Sequence, residues 1–224
     1  MRVPSVTMVR IGAEREPVVV IDGFSSRIAA LAETGRGAAY APQPIYPGLR
    51  SPADPAYLTP MQPTLDAVLR RVFGLPAVRI EACDYSIVSL APASLQAAQS
   101  IPHYDDPGPG VVALLHYTQG AETGGTAFYR HRRSGFESMR PERLTAYAEA
   151  LAADEQALGP VAAGYVAGDT ARFERIALFD ARPDRAILYR GRTLHSGIIP
   201  KAPDPSSAVA AGRLTINTFF VADD

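Results

Sequence analysis

Two histidines and one aspartate are the residues of this chain whose types and spacing could bind a metal ion. His103 and Asp105 stand at positions i and i+2, and His195 follows far downstream. Alternate side chains of an extended strand point to the same side, so the first two residues can direct their donor atoms at one ion. Two imidazoles and one carboxylate are the set that holds non-haem Fe(II) by one face and leaves the opposite face open. The sequence therefore predicts an iron site with coordination positions left for other molecules.

An arginine near the end of the chain could bind an anion beside such a metal. Arg213 begins a β-rich segment that runs through residues 213–220. Its guanidinium is a planar fork that matches a carboxylate with two parallel hydrogen bonds. We therefore expect Arg213 to bind a carboxylate.

Four segments around these residues carry a resemblance to a known family. An aliphatic, strand-like run at 111–118 precedes a double-glycine turn at 124–128, a strand and a glycine-containing turn at 185–197 lead to the second histidine, and residues 213–215 match an Arg-x-Ser/Thr strand. Over roughly residues 80–221 the chain resembles the Fe(II)/2-oxoglutarate-dependent oxygenases, in their prolyl-hydroxylase-like branch. The pattern Pro-His-x-Asp with Gly-Gly-Thr-Ala-Phe-Tyr-Arg-His also resembles a bacterial family of unknown function.

The resemblance implies Fe(II) at the three metal-binding side chains, with 2-oxoglutarate and O2 as cosubstrates. Arg213 would grip the C5 carboxylate of 2-oxoglutarate, while the hydroxyl groups of Thr215 and Tyr117 could each donate a hydrogen bond to it. Tyr117 could equally be a core aromatic residue with its hydroxyl at the rim. His116 is out of phase with Tyr117, so it faces the other side of the strand and is expected to be packed or at the surface.

The implied reaction converts 2-oxoglutarate to succinate and CO2 while a small molecule, amino acid or peptide is oxidised. Asp105 bears on the type of oxidation, because halogenating members of the family lack this carboxylate and bind a halide in its place. A retained Asp105 favours hydroxylation, desaturation or cyclisation. We expect a hydroxylase-type dioxygenase.

One spacing departs from the family pattern. The stretch between His195 and Arg213 is long, and residues 200–207 are rich in Pro, Asp and Ser. Such a composition indicates an inserted loop.

Basic residues near the predicted site are candidates for substrate contacts. Arg130 and His131 belong to a basic turn, and Arg190 and Arg192 precede the second metal-binding histidine. They could bind a substrate carboxylate or phosphate. The alternative is a solvated basic surface, because exposed charges of this kind contribute little.

The N-terminal part, residues 1–77, predicts supporting elements. Residues 17–22 are β-branched and indicate a buried strand, after which residues 22–26 cap a helix that ends at Gly35 or Gly37. The proline density of residues 40–60 predicts an extended surface loop. Residues 64–73 place Leu and Val on one face of a second helix.

Residues 78–221 predict the core of a mainly β fold. Their strand-like runs and the predicted site indicate a double-stranded β-helix, or jelly roll, with the N-terminal helices packed on one sheet. A helical insertion at 141–158 could be a lid over the site or a plain surface helix. We expect residues 1–224 to form a single domain, since all-β barrels of this size are commonly undivided.

Composition excludes several classes of protein. The net charge of −1 gives no reason to expect nucleic acid or an anionic membrane as a partner, so a small-molecule or peptide substrate is expected. Residues 1–17 contain no signal-like apolar run, and no stretch approaches the ~18 apolar residues of a membrane span. Cys83 is the single cysteine, which prevents an internal disulfide and favours a reducing compartment. A cytoplasmic protein is expected.

Two alternatives remain open at this level. One is a metal-binding jelly roll with non-oxidative or 2-oxoglutarate-independent chemistry, in which Arg213 is a structural ion-pair partner. The other is a non-catalytic β-sandwich binding module in which His103, Asp105 and His195 never converge.

Overall fold

Strands dominate residues 3–223, which are the residues that the computed structural model describes. In chain order the strands are β1 (Ser5–Ile11), β2 (Glu16–Asp22), β3 (Ala41–Pro42), β4 (Gly48–Pro52), β5 (Val78–Val88), β6 (Val111–Tyr117), β7 (Gly125–His131), β8 (Phe173–Asp180), β9 (Arg185–Arg190), β10 (His195–Ile198) and β11 (Leu214–Ala222). The α-helices are α1 (Ile28–Arg36), α2 (Gln62–Arg71), α3 (Leu144–Leu158) and the short α4 (Ala208–Ala211).

The strands form two antiparallel sheets that face each other. The large sheet has the order β1-β2-β9-β6-β11-β5-β4-β3, and the small sheet has the order β10-β7-β8. Alternation along the strands directs Leu115, Tyr117 and Ile187 of the large sheet toward Phe128 of the small sheet, where they form an inner core. The architecture is the double-stranded β-helix that the sequence predicts.

The two N-terminal helices cover the outer face of the large sheet, as predicted. Helix α2 buries Leu65, Val68 and Leu69 in the core cluster on that face. Helix α1 ends at Arg36 with Gly37 as its C-cap, but no capping side chain accepts a hydrogen bond from its first N–H groups, so the predicted cap is wrong. Within residues 3–223 no helix has the length and apolar character needed to cross a membrane.

The N-terminal part also supplies four strands to the large sheet. Strand β2 pairs with β9, in agreement with the buried run that the sequence predicts. Strand β1 pairs with β2 at the edge of the sheet, and residues 5–10 are exposed on both faces. Because burial does not alternate along β1, its sequence need not alternate between apolar and polar residues, and this is the pattern from which a strand is predicted.

The proline-rich residues 40–60 contain strands where the sequence predicts an extended loop. Strand β4 pairs with β5, and the two-residue β3 pairs with β4 at the sheet edge. The prolines are compatible with this pairing because Pro42 lies on the edge strand and Pro52 is the last residue of β4. Residues 48–51 contain no proline and can pair on both sides.

The predicted helical insertion is a 3₁₀ turn at Pro141–Arg143 that continues into α3, and Gly159 ends it with a φ of 77°. Tyr147 of α3 is buried on the face of the small sheet that points away from the large sheet. Asp154 of α3 accepts a 2.8 Å hydrogen bond from Nε2 of His131 on β7. The helix is therefore attached to the back of the small sheet.

His116 occupies the outer face of the large sheet, as its phase relative to Tyr117 predicts. Its ring stacks on Tyr57 at a centroid distance of 5.9 Å, and its Nε2 lies 3.0 Å from Oδ1 of Asp184. Among the described residues, His116 therefore packs beneath the N-terminal elements.

Candidate metal centre

His103 and His195 lie side by side because their backbones are paired. The N–H of His103 donates to the carbonyl of His195 at 2.9 Å, and the N–H of His195 donates back at 2.8 Å. The centroids of the two rings are 4.4 Å apart. This isolated bridge joins the start of β10 to the segment before β6, which is how two histidines distant in the chain meet.

Asp105 completes the group. Its N–H donates to the carbonyl of Gly191 at 2.7 Å, which fixes its backbone beside the histidines. Its Oδ1 lies 4.0 Å from Nε2 of His103, and its Oδ2 lies 3.8 Å from Nε2 of His195. One ligand atom from each of the three residues lies within 4.8 Å of the others. The predicted ligands converge, so the alternative of a module in which they stay apart is wrong.

A backbone contact selects the tautomer of His195. Its Nδ1 lies 2.8 Å from the carbonyl of Thr193, and a carbonyl can only accept. Nδ1 therefore carries the proton, and the lone pair of Nε2 points toward Asp105. Histidines that bind metals are commonly oriented by such a contact on the other ring nitrogen.

Burial keeps both imidazoles uncharged. It lowers the pKa of His195 to about 4, and it lowers the pKa of His103 to about 4 with a further contribution from His195. Burial raises the pKa of Asp105 to about 6, against the attraction of His103 and Arg50. About half of the His103 side chain is accessible, and that part borders an internal cavity. At neutral pH the group therefore offers two neutral imidazoles and one carboxylate to this cavity.

The cavity beside the three side chains has a volume of about 760 Å³. Its wall includes the rings of Tyr104, Tyr165 and Phe219, and the proline-rich residues 43–47 form another part of it. Binding sites for small molecules measure ~300–1,000 Å³ and have mostly apolar walls with a few polar groups. The cavity is of a size to hold a cosubstrate together with a small substrate.

Arg213 lines this cavity immediately before β11. Its Nη2 donates to the carbonyl of Gly125 at 3.2 Å, and its guanidinium carbon lies 5.7 Å from the centre of the Tyr117 ring. Its Nε is buried and meets no hydrogen-bond partner in residues 3–223, and no carboxylate of those residues lies within ion-pair distance. The guanidinium is therefore able to bind an anionic ligand, and the binding of a carboxylate by Arg213 stays a prediction.

The two hydroxyl groups predicted to assist Arg213 differ in their surroundings. Thr215 and Tyr117 face each other across β11 and β6. The Oγ1 of Thr215 is buried without a partner in the described part of the chain, whereas the Tyr117 hydroxyl donates to Oγ1 of Thr126 at 2.8 Å. Burial raises the pKa of Tyr117 to about 12. Thr126 lines the cavity and was missed by sequence reasoning, because its role depends on the contact with Tyr117.

The four predicted substrate contacts lie elsewhere. None of them is among the described residues that line the cavity. Each is bound to another part of the protein: Arg130 to Glu137 at 2.8 Å, His131 to Asp154 at 2.8 Å, Arg192 to Glu16 at 2.7 Å, and Arg190 to the carbonyl of Phe73 at 2.8 Å. The structure gives these residues roles in packing the sheets and α3, and it does not bring them to the metal-binding group.

A different arginine reaches the cavity and was missed. Arg50 of β4 lines the wall. Its positive charge helps to lower the pKa of His103, and it opposes the rise that burial causes in the pKa of Asp105. The proline-rich context conceals the strand that carries it. The proline-free residues 48–51 were the one signal that could have predicted a strand here.

Comparison with protein families gives one match over nearly the whole chain. The profile of a family described as "Family of unknown function (DUF6445)" matches residues 2–220. No curated protein sequence matches the chain.

Solved structures share the fold. The chain is similar to the non-heme alpha-ketoglutarate-dependent epimerase SnoN from nogalamycin biosynthesis, with 12% identity, 93% of this chain and 79% of that chain covered, and a TM-score of 0.52. It is similar to the carbocyclase SnoK from the same biosynthesis, with 13% identity, coverage of 94% and 81%, and a TM-score of 0.52. It is also similar to HygX from Streptomyces hygroscopicus with nickel, 2-oxoglutarate and hygromycin B bound, with 13% identity, coverage of 92% and 82%, and a TM-score of 0.51. At these identities the similarity establishes a common fold.

Proposed function

Because the chain belongs to the DUF6445 family, whose description gives no activity, we propose from the site itself that it is a non-haem Fe(II)- and 2-oxoglutarate-dependent oxygenase. The observation that carries the proposal is the convergence of His103, Asp105 and His195 beside an unpaired Arg213 in one cavity. The similarity of its fold to enzymes of this class is consistent with the proposal, but a fold by itself assigns no activity.

The chemistry of the donor set fits a ferrous ion. Two neutral imidazoles and one carboxylate suit Fe(II), and three ligands on one face leave positions for other molecules. The contact between Nδ1 of His195 and Thr193 holds one ligand in the tautomer that a metal requires. His103, Asp105 and His195 would therefore hold the metal.

The buried polar atoms beside the metal-binding group fit 2-oxoglutarate. Arg213 would bind its C5 carboxylate by two hydrogen bonds. The hydroxyl of Thr126 lines the same cavity, and Thr215, whose Oγ1 is buried without a partner in the described residues, lies on β11 just after Arg213. When bound, Fe(II), 2-oxoglutarate and O2 supply the oxidising power, with release of succinate and CO2. The protein's part is to hold the target C–H of the substrate near the metal and to limit access of water.

Hydroxylation of a small molecule is the reaction that we propose. It requires of the protein only that one C–H bond be positioned, and Asp105 occupies the position that a halide would need. The cavity volume of about 760 Å³ favours a small molecule or amino acid over a long peptide. An iron protein that does not use 2-oxoglutarate is the alternative.

Anaerobic titration distinguishes the two. Addition of Fe(II) and then 2-oxoglutarate is expected to produce a visible charge-transfer band, because a keto acid chelates the ferrous ion through two oxygens. His195→Ala should abolish the band, and Asp105→Ala should weaken iron binding. Asp66→Ala is the matched control, since this exposed carboxylate on α2 accepts from Nε2 of Gln62 at 2.7 Å and does not line the cavity. Stoichiometric iron with no band in the unaltered protein would favour the alternative.

A further inference from the structure

A second arginine, Arg50, faces the cavity from β4, the strand that the sequence does not predict. Arg50 of β4 lies opposite Ser86 of β5, Ser86 lies opposite Thr215 of β11, and Thr215 lies opposite Tyr117. These positions form one row across the inner face of the large sheet. Neighbouring strands are ~4.8 Å apart, so the backbone of Arg50 is about 10 Å from that of Thr215. Arg50 therefore enters the cavity from a different strand than Arg213.

The contacts of Arg50 leave its guanidinium largely unused. The nearest carboxylate oxygen, Oδ2 of Asp84, is 3.8 Å from Nη1, which is too long for a hydrogen bond. The guanidinium carbon lies 4.7 Å from the centre of the Tyr46 ring, and Nε is buried with no partner in residues 3–223. Arg185 shows the contrast, because it binds Asp22 with hydrogen bonds of 2.7 and 2.9 Å.

Other polar atoms near Arg50 are also buried without partners. In the described part of the chain these are the hydroxyl oxygens of Tyr46 and Ser86 and Oδ1 of Asn217. Asn217 lies opposite Asp84 across β11 and β5, and both Tyr46 and Asn217 line the cavity. Buried polar groups are hydrogen-bonded in more than 90% of cases, to protein or to water, so this group of atoms is able to bind a polar ligand that enters the cavity.

The signs of the charges restrict the chemistry of that ligand. A simple anion would satisfy Arg50 but would be repelled by Asp84, and a simple amine would have the opposite difficulty. A group with adjacent negative and positive charges satisfies both. Arg50 and Asp84 form an ion pair at 3.8 Å without a hydrogen bond, so the hydrogen-bonding groups of each can still bind one of these two charges.

We infer that Arg50, Asp84, Asn217 and Tyr46 form the substrate-anchoring site and that the substrate is a small molecule with a free α-amino-acid head. Arg50 and the Tyr46 hydroxyl bind the carboxylate, while Asp84 and Oδ1 of Asn217 bind the ammonium group. The inference rests on the proposed function for its metal and cosubstrate. With the head held at β4, the side chain extends toward the metal ligands, and the oxidised carbon lies on that side chain.

Calorimetric titration in the absence of O2 tests this directly. The probes are the common free L-amino acids at millimolar concentration, each compared with its N-acetyl derivative, its amide and the 2-hydroxy acid of the same side chain. The protein carries Mn(II) and 2-oxoglutarate, so binding is measured without turnover. At least one free amino acid should bind, and its blocked derivatives should bind at least about tenfold more weakly. Equal binding of the N-acetyl derivative or the amide, or binding of none of the free amino acids, overturns the inference.

Variants identify which residues make the site prefer a free amino acid over its blocked derivatives. Arg50→Met is expected to weaken amino-acid binding by roughly 30-fold or more, since a desolvated charged hydrogen bond is lost. Arg50→Lys should restore part of it. Asp84→Asn should bring the amino acid and its 2-hydroxy acid to nearly equal affinity. Arg132→Met is the matched control, because this arginine pairs with Asp169 at 3.3 Å and does not line the cavity.

The readouts separate this inference from the proposed function. If the charge-transfer band forms normally but Arg50→Met leaves amino-acid binding unchanged, the inference is overturned and the proposed function is not. Loss of 2-oxoglutarate affinity in Arg50→Met also overturns it, because Arg50 would then belong to the cosubstrate pocket. Absence of the band in the unaltered protein overturns the proposed function, while Arg50-dependent binding of an amino acid would still support the anchoring site.

Discussion

At the scale of single residues, Arg213 lacks the carboxylate partner that several arginines of residues 3–223 have. Arg185 and Arg192 bind carboxylates through short hydrogen bonds, whereas Arg213 has one contact to a carbonyl and a buried Nε without a partner. A partly buried guanidinium in this state gains from an anionic ligand, because the ligand replaces the water that the arginine has lost. This is the physical basis for assigning the cosubstrate to Arg213.

Arg213→Ala should therefore weaken 2-oxoglutarate binding by roughly 30-fold to several thousand-fold. Removing one partner of a desolvated charge pair costs about 2–5 kcal/mol, and 1.4 kcal/mol corresponds to a factor of ten. Arg213→Lys should recover part of the charge attraction without the two-pronged geometry. The measurement is titration of the charge-transfer band with 2-oxoglutarate, and Fe(II) affinity should stay near its original value.

The control for this prediction is Arg192→Ala. Its guanidinium binds Glu16 away from the cavity, so its loss should leave 2-oxoglutarate affinity unchanged. An unaffected Arg213→Ala protein together with an impaired Arg192→Ala protein would show that the cosubstrate pocket lies on another strand.

Residue types predict the candidate metal-binding group better than they predict the roles of the arginines. His103, Asp105 and His195 can be selected because few residue types bind iron and only four histidines are present. Arginine is common, and whether one is free depends on partners brought by the fold. Glu137 holds Arg130 and Glu16 holds Arg192, and no local pattern indicates either pairing.

At the scale of elements, the turn between β8 and β9 ties the N-terminal part to the core. Asp184 in this turn accepts hydrogen bonds from the N–H and hydroxyl of Ser25, from the N–H of Ser26 and from His116. Burial would raise the pKa of Asp184, but the hydrogen bonds from His116 and from the serines outweigh it and lower the pKa to about 2. The ionised carboxylate thus stabilises the folded state.

Asp184→Ala is expected to lower the free energy of unfolding at pH 7 by about 2 kcal/mol. The folded pKa of about 2 lies below the usual 3.8, so the contribution is complete above about pH 5 and is lost as the pH falls toward 2. Urea unfolding at pH 7 and at steps down to about pH 3 should show the two proteins converging in acid.

The comparison protein is Asp66→Ala, whose carboxylate is exposed on α2 and contacts Gln62. It should change stability by less than about 0.5 kcal/mol at every pH. A constant difference between Asp184→Ala and the unaltered protein across the pH range would show that packing, not the charge, explains the loss.

Elements with a buried face are predictable, and elements without one are not. The alternation of β6 correctly places Tyr117 inside and His116 outside, and the helical period of α2 correctly identifies its buried face. Strands β1 and β4 were missed because one is exposed over residues 5–10 and the other is enclosed by prolines. Missing β4 also meant missing Arg50.

The position of α3 answers a question that its sequence left open. An insertion at 141–158 could have been a lid or a surface helix. Tyr147 and Asp154 are buried against the back of the small sheet, and none of the described residues of α3 lines the cavity. The structure supports the surface helix, and the part of the chain near the cavity wall is instead the proline-rich stretch at 43–47.

At the scale of the whole molecule, the two sheets hold the site from opposite sides. The small sheet and its neighbouring segment supply His195 and Thr126, while the large sheet supplies Tyr117 and Thr215, with Arg213 immediately before β11. A ligand that contacts both sheets joins them, so its binding free energy adds to the stability of the fold.

This coupling predicts how metal and 2-oxoglutarate act together on thermal unfolding. At a hundred times its Kd a ligand adds about 2.7 kcal/mol, which in a domain of this size raises Tm by roughly 5–10 °C. Mn(II) can replace Fe(II) so that scans run in air. We expect 2-oxoglutarate to raise Tm strongly with Mn(II) present and weakly without it, because two of its oxygens bind the metal. In Arg213→Ala the Mn(II) shift should remain and the further 2-oxoglutarate shift should largely disappear. If 2-oxoglutarate raised Tm equally with and without Mn(II), its binding site would not include the metal. This result would contradict a site shared by the metal and 2-oxoglutarate.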